Sequence, residues 1–217
     1  MAIAIFDLDG TLIRGQSQLY IIKYLYKRRL ISVFDLIVIT GWFLGYWLSI
    51  FNDPRIIFSF AFRIIKGKDE NEVKALVDGF YEKVLRDKFR GNVVNRLVNH
   101  KNNNDEIYLL TNAIKPIARA VADDLGIRNV IATEMEVIGN KYTGKIKGDI
   151  IYGKQKVKAL KKIFTAKELL DSFIYADHYS DIEMLKLADH PVLVYPDSKS
   201  LSLFKNYFRE KKPEIIN

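Results

Sequence analysis

Residues 2–12, Ala2-Ile3-Ala4-Ile5-Phe6-Asp7-Leu8-Asp9-Gly10-Thr11-Leu12, run from a short apolar stretch into two carboxylates one residue apart, followed at once by Gly and Thr. Apolar runs of this length read as buried strands, and ligand sites on open α/β sheets lie just beyond strand C-termini. The strand therefore delivers Asp7 and Asp9 to that edge, while alternation turns Leu8 away from it. Two unpaired carboxylates buried side by side cost roughly several kcal/mol unless protons or a cation offset them. A hard divalent ion that prefers oxygen ligands, such as Mg²⁺, answers that cost.

Working outward, strands and helices alternate. A strand is expected over Glu106–Leu110, a helix over Lys115–Leu125, a strand over Val130–Ala132 and β-rich chain to Thr143. A helix follows over Gly153–Phe164, then strand Ser172–Ala176, helix Asp181–Leu187, strand Pro191–Val194, helix Ser202–Lys212 and a loose tail over 213–217. Such alternation argues for a parallel sheet with helices on both faces. Three of these elements carry polar punctuation. The strand at Leu110 ends in Thr111-Asn112-Ala113. A helix opens at Tyr152-Gly153-Lys154-Gln155-Lys156. The strand at Phe173-Ile174-Tyr175-Ala176 runs into Asp177-His178-Tyr179-Ser180-Asp181.

With the opening Asp-x-Asp-Gly-Thr-Leu, these stretches resemble, in order, the four motifs of the haloacid dehalogenase-like superfamily, whose members are mostly phosphatases. The closest resemblance is to its phosphoserine-phosphatase-like branch (subfamily IB). Ile131-Ala132-Thr133-Glu134-Met135-Glu136-Val137 and Lys141-Tyr142-Thr143-Gly144-Lys145-Ile146 are typical of hydrolases there. The resemblance implies an α/β fold: a Rossmann-like parallel core of residues 1–14 and 92–217, with a helical cap, 15–91, inserted after the first strand. It also implies roles. Asp7 would be the nucleophile that forms an aspartyl-phosphate. Asp9 would be general acid then base, its backbone carbonyl touching the metal. Thr111 and the Asn112 N–H would bind phosphoryl oxygens, although Thr111 would equally serve as a helix N-cap. Lys156 would neutralise the phosphoryl group and hold Asp7, with Lys154 as fallback. Asp177 would be the third ligand of Mg²⁺, and Asp181 would orient a metal-bound water or Lys156. His178 has no assigned role.

The bulk properties set outer bounds. The 217 residues suffice for one core with a smaller appended unit. The absence of cysteine excludes disulfides, Cys-based zinc sites and thiol catalysis. The direct entry into the first strand leaves no room for a secretory leader, so a cytoplasmic location is expected. The net charge of +8 favours anionic partners, yet no nucleic-acid-binding motif is visible. Nothing fixes the oligomeric state.

Residues 30–51, LISVFDLIVITGWFLGYWLSIF, are interrupted only by Asp35 and carry Trp42, Tyr46 and Trp47. Before them lies an amphipathic helix, Gln18–Leu30, ending in Lys27-Arg28-Arg29; Arg55 follows, and apolar spacing continues through Ile56–Ile65 with Phe58, Phe60 and Phe62. Three readings compete: a buried hairpin bent near Gly41 and Gly45, a segment lying on a bilayer, or one crossing it. A single crossing would separate motifs that must meet. Helices are further expected over Lys68–Asp87 and Asn92–Lys101.

Phosphoserine phosphatases carry a Glu nine residues past the nucleophile to bind the substrate amine; here that position is Gln16. The neutral amide, the apolar cap and the basic balance favour a lipid-like phosphate ester, such as phosphatidylglycerophosphate, at the inner face of an anionic membrane. The alternatives are a small soluble phosphate ester and a catalytically silent membrane-surface or interaction module.

Overall fold

The computed structural model describes residues 2–47, 62, 64–208 and 213–217, the side chains of 42–47 excepted. Strand β1 (Ile3–Phe6) lies between β2 (Glu106–Ile114) and β5 (Ser172–Ala176), parallel to both. Beyond β2 lies β3 (Asn129–Ile138), and beyond β5 come β6 (His190–Val194) and β7 (Glu214–Ile216), all in parallel; β4 (Lys141–Lys147) is antiparallel to β3. The seven-stranded order is β4-β3-β2-β1-β5-β6-β7.

Alternation along β1 sorts its side chains between two cores. Ala4 and Phe6 join a cluster with Val93, Leu97, Ile117 and Val121, whereas Ile5 joins Leu160, Ile174, Met184, Leu185 and Phe204. The first cluster is closed by α4 (Gly91–Asn102) and α5 (Lys115–Asp124), the second by α6 (Lys154–Ile163), α8 (Ile182–Leu185) and α9 (Ser198–Tyr207). A strand buried on both faces has to be apolar throughout, which is why β1 reads IAIF.

Between β1 and β2 the described chain is helical: α1 (Ser17–Lys27), α2 (Val33–Trp47) and α3 (Glu70–Phe80). Asp69 and Glu72 form a capping box at the start of α3. The helix expected to reach Asp87 changes at Tyr81 into a π-helical turn, Tyr81–Leu85, and then a 3₁₀ turn, Arg86–Lys88. Ile22, Leu25, Ile31 and Ile39 form a third, separate apolar cluster.

Several expectations are revised. Helix α2 runs unbroken through Gly41 and Gly45, so the bend expected there is absent. Its first turns leave Val33, Phe34 and Ile37 exposed, at 55%, 71% and 63%. Among the described residues no helix is long and apolar enough to cross a membrane. The side chains of Trp42, Tyr46 and Trp47, together with Arg55, Phe58 and Phe60, lie outside the described residues. The loose tail is instead β7, whose Ile216 is buried at the edge of β6. The final helix starts earlier, at Ser198, capped by Asp197. A short helix α7 (Ala166–Leu170), capped by Thr165 and Glu168, was not anticipated.

A buried polar chain pins the middle of the sheet. Phe6 stacks on Tyr175 at 4.2 Å between ring centres. The Tyr175 hydroxyl lies 2.9 Å from His100 Nε2, and His100 Nδ1 lies 2.8 Å from Asp105. Tyr175→Phe keeps the stack but leaves His100 Nε2 without its partner, which is expected to cost ~1–2 kcal/mol. Urea denaturation measures it, and an unchanged midpoint would remove the hydroxyl from the account of stability.

Candidate active site

Four carboxylates and one ammonium converge at the C-terminal ends of β1 and β5. Asp7 follows β1 directly, and its backbone N–H donates to the Tyr175 carbonyl at 3.0 Å, continuing the ladder. Asp177 follows β5 in the same way. The chain after Asp9 curls back so that the Gly10 N–H meets the Gly15 carbonyl at 2.9 Å. Gly10 has a φ of +80°, and a Cβ there would sit 2.0 Å from Asp177 Oδ2. A side chain is therefore excluded twice, by backbone conformation and by the carboxylate. The Thr11 hydroxyl donates to Asp177 Oδ1 at 3.5 Å, and Arg90 Nε donates to the Gly10 carbonyl at 3.2 Å.

Lys156 enters from α6. Gly153, with φ +51° and ψ −121°, turns the chain into that helix in a conformation that favours glycine. Lys156 is 3% exposed and donates to Asp7 Oδ1 and to Asp181 Oδ2, both at 2.8 Å. Burial by itself would lower its pKa, but Asp181 and Asp7 more than offset that and raise it. Lys154, at the first position of the helix, is exposed.

Burial pushes the Asp7 carboxyl well up; Lys156 opposes the shift, while Asp181 and Asp177 add to it. Burial likewise pushes Asp177 up to about 7, with Asp181 contributing repulsion. Asp9 is pushed up to about 6 by burial, against hydrogen bonds from Ser17. The Ser17 backbone N–H donates to Asp9 Oδ1 and its hydroxyl donates to Oδ2, the latter at 3.0 Å. Asp181 Oδ1 is buried without a hydrogen-bond partner among the described residues.

Thr111 is fully buried, and its hydroxyl accepts from the Ala113 N–H at 3.0 Å. It does not cap a helix: β2 continues to Ile114, and Ile114 is the N-cap of α5. The β2–β3 register shifts between Leu110 and Ile114, so the chain carrying Thr111 and Asn112 departs from regular pairing. The Asn112 carbonyl accepts from the Thr133 hydroxyl at 2.9 Å. His178 accepts from the Ser180 N–H and so caps the turn that presents Asp181.

Gln16 is exposed, at the N-cap of α1, without a capping bond. The residues directed inward are its neighbours. Ser17 is fully buried against Asp9, and Gln18 Nε2 donates to Asn112 Oδ1 at 3.1 Å. Neither these two nor Arg90 carried a local sequence signal, because their pairings exist only after the loop from Gly10 to Gly15 folds back.

Among the described residues no three His, Cys, Asp or Glu side chains form a self-sufficient metal cage. The donor set nonetheless fits a hard divalent cation that retains water. Carboxylates of Asp7 and Asp177 with the Asp9 carbonyl would supply part of an oxygen shell, and the unpartnered Asp181 Oδ1 could accept from a bound water. The charge argues likewise, since one lysine faces four acids.

The comparisons with known proteins agree with this geometry. A family model described as haloacid dehalogenase-like hydrolase matches residues 4–186. A Mycobacterium tuberculosis protein named phosphoserine phosphatase SerB1 is 26% identical over 212 residues, covering 93% of this chain and 67% of the relative. A solved structure of unknown function from Bordetella pertussis superposes with a TM-score of 0.87 at 20% identity, over 100% of this chain and 98% of that one. A structure titled as a phospho-aspartyl intermediate analogue of phosphoserine phosphatase gives 0.65 at 18% identity, over 100% and 93%. On the match over residues 4–186, the chain belongs to the haloacid dehalogenase-like hydrolases.

Proposed function

We propose that this protein is a Mg²⁺-dependent phosphomonoester hydrolase working through an aspartyl-phosphate, and the observation that carries the reading is Lys156 clamped between Asp7 and Asp181 at the mouth of β1. In this reading residues 1–14 and 92–217 are the catalytic core and 15–91 the cap. The helices α1, α2 and α3 between β1 and β2 support that division.

An oxygen of Asp7 attacks phosphorus, and the bond to the leaving oxygen breaks as Asp9 gives that oxygen its proton. Asp9 then takes a proton from water. The resulting hydroxide attacks phosphorus, breaks the bond to Asp7 and releases inorganic phosphate. Lys156 keeps Asp7 oriented and offsets charge on the phosphoryl oxygens; the Thr111 hydroxyl and Asn112 N–H donate to those oxygens. When bound by Asp7, Asp177 and the Asp9 carbonyl, Mg²⁺ supplies charge neutralisation for a dianionic ester.

The substrate side of the proposal is an amphiphilic phosphate ester met at the inner face of an anionic membrane. Support comes from exposed Val33, Phe34 and Ile37 on α2, next to Lys27, Arg28 and Arg29. Gln16 supports it too, since no carboxylate stands where an amine would be bound. The names of relatives favour the second reading, a small soluble phosphate ester.

Asp7→Asn is expected to lower kcat on p-nitrophenyl phosphate by about 10³-fold or more. Turnover close to wild type would rule out Asp7 as the nucleophile. Linkage gives a second test. Asp9 and Asp177 are raised from 3.8 in the metal-free fold, so their stabilising protonation is complete below the unfolded value and is lost as pH rises through about 6 and about 7. Mg²⁺ should therefore raise Tm more at pH 7.5 than at pH 5.5, where protons compete with it. Equal gains at both pH values would argue against a carboxylate-bound cation. For the membrane, Phe34→Ser/Ile37→Ser should cut sedimentation with anionic phosphatidylglycerol vesicles severalfold, and unchanged binding would return α2 to the soluble reading.

A further inference from the structure

We infer that Gln18 is a positioning residue: its amide holds the Asn112 side chain in place, tying the first turn of α1 to the phosphoryl cradle. The inference rests on the hydrolytic reading of the site.

The geometry is specific to an amide. Gln18 Nε2 donates to Asn112 Oδ1 at 3.1 Å across 94 positions of sequence. Nε2 is the donor end of the amide. The opposite orientation would set Oε1 against an acceptor oxygen. Glutamate would do the same with a full charge, and an aliphatic side chain would offer nothing.

Two consequences follow for the site. Asp9 is held from the side of α1 by Ser17, so the group that exchanges a proton with the ester is oriented by that helix rather than by the sheet alone. Asn112 has its side-chain oxygen committed to Gln18 and its backbone carbonyl to Thr133, which leaves Nδ2 as a donor for the ester. Gln18 therefore decides which face of the Asn112 amide the substrate meets. Because the sheet supplies Asn112 and the helix supplies Gln18, the bond also reports whether α1 sits against the core. A shift of the amide by about 1 Å would be enough to lose most of this orientation.

A double-mutant cycle tests the pairing on the full chain. Gln18→Met and Asn112→Ala should each lower kcat/KM for p-nitrophenyl phosphate about tenfold, and the double variant should fall little further than either single. The same non-additivity is expected in a second readout, the rise in Tm given by inorganic phosphate in the presence of Mg²⁺. Gln18→Glu, which keeps length but reverses the donor, should be at least as impaired as Gln18→Met. Losses that multiply in the double variant, or activity of Gln18→Glu within about twofold of wild type, would overturn the inference. If wild type turns over no ester, the hydrolase reading fails separately, and the phosphate-stabilisation cycle still decides for or against the Gln18–Asn112 pair.

Discussion

Three buried carboxylates and a half-buried fourth surround one buried ammonium at the mouth of the central strand, and the rest of the molecule is arranged around holding them there. In an isolated pair, Lys156 and Asp7 would lose more in desolvation than they gain in attraction. Here Lys156 meets two acids at once, and Asp7, Asp9 and Asp177 still stand above their ordinary pKa values. The fold thus spends stability to keep negative charge concentrated where a cation would compensate it. Perturbed ionisation of this kind, in a place built from several distant segments, is the physical mark of a site.

The scaffold meets that cost with ordinary means. β1 and β5 are buried on both faces by two separate cores, and the Phe6–Tyr175–His100–Asp105 chain satisfies the polar groups that cross between strand and helix. Gly10 lets the loop pass so close to Asp177 that no Cβ fits. Rigid strands therefore set the carboxylates, and one glycine sets the clearance between two of them.

The core was legible in the sequence because its determinants are local. A continuous apolar run names a doubly buried strand, and Asp7, Lys156 and Asp177 each sit where such a strand ends or a helix begins. Ser172–Ala176 was read to the residue. The misses have a common cause. Residues 213–217 looked like a tail because three residues carry no periodicity, and only pairing with β6 makes them a strand. Gln18 carries no spacing signal from Asp7, and only the return of the chain from Gly10 to Gly15 turns it toward Asn112. The apolar stretch after Leu30 announced something unusual, yet composition alone could not say which of its side chains stay in water.

The strand order bears on how the molecule is made. β1 is synthesised first, but its neighbours are β2, beginning at Glu106, and β5, beginning at Ser172. Its second hydrogen-bonding edge stays open until β5 has left the ribosome. Folding is therefore dominated by non-local pairing, which is slow and leaves a sticky apolar strand waiting for its partners. During that interval the apolar segment that leads into Asp7 has no partner on that edge.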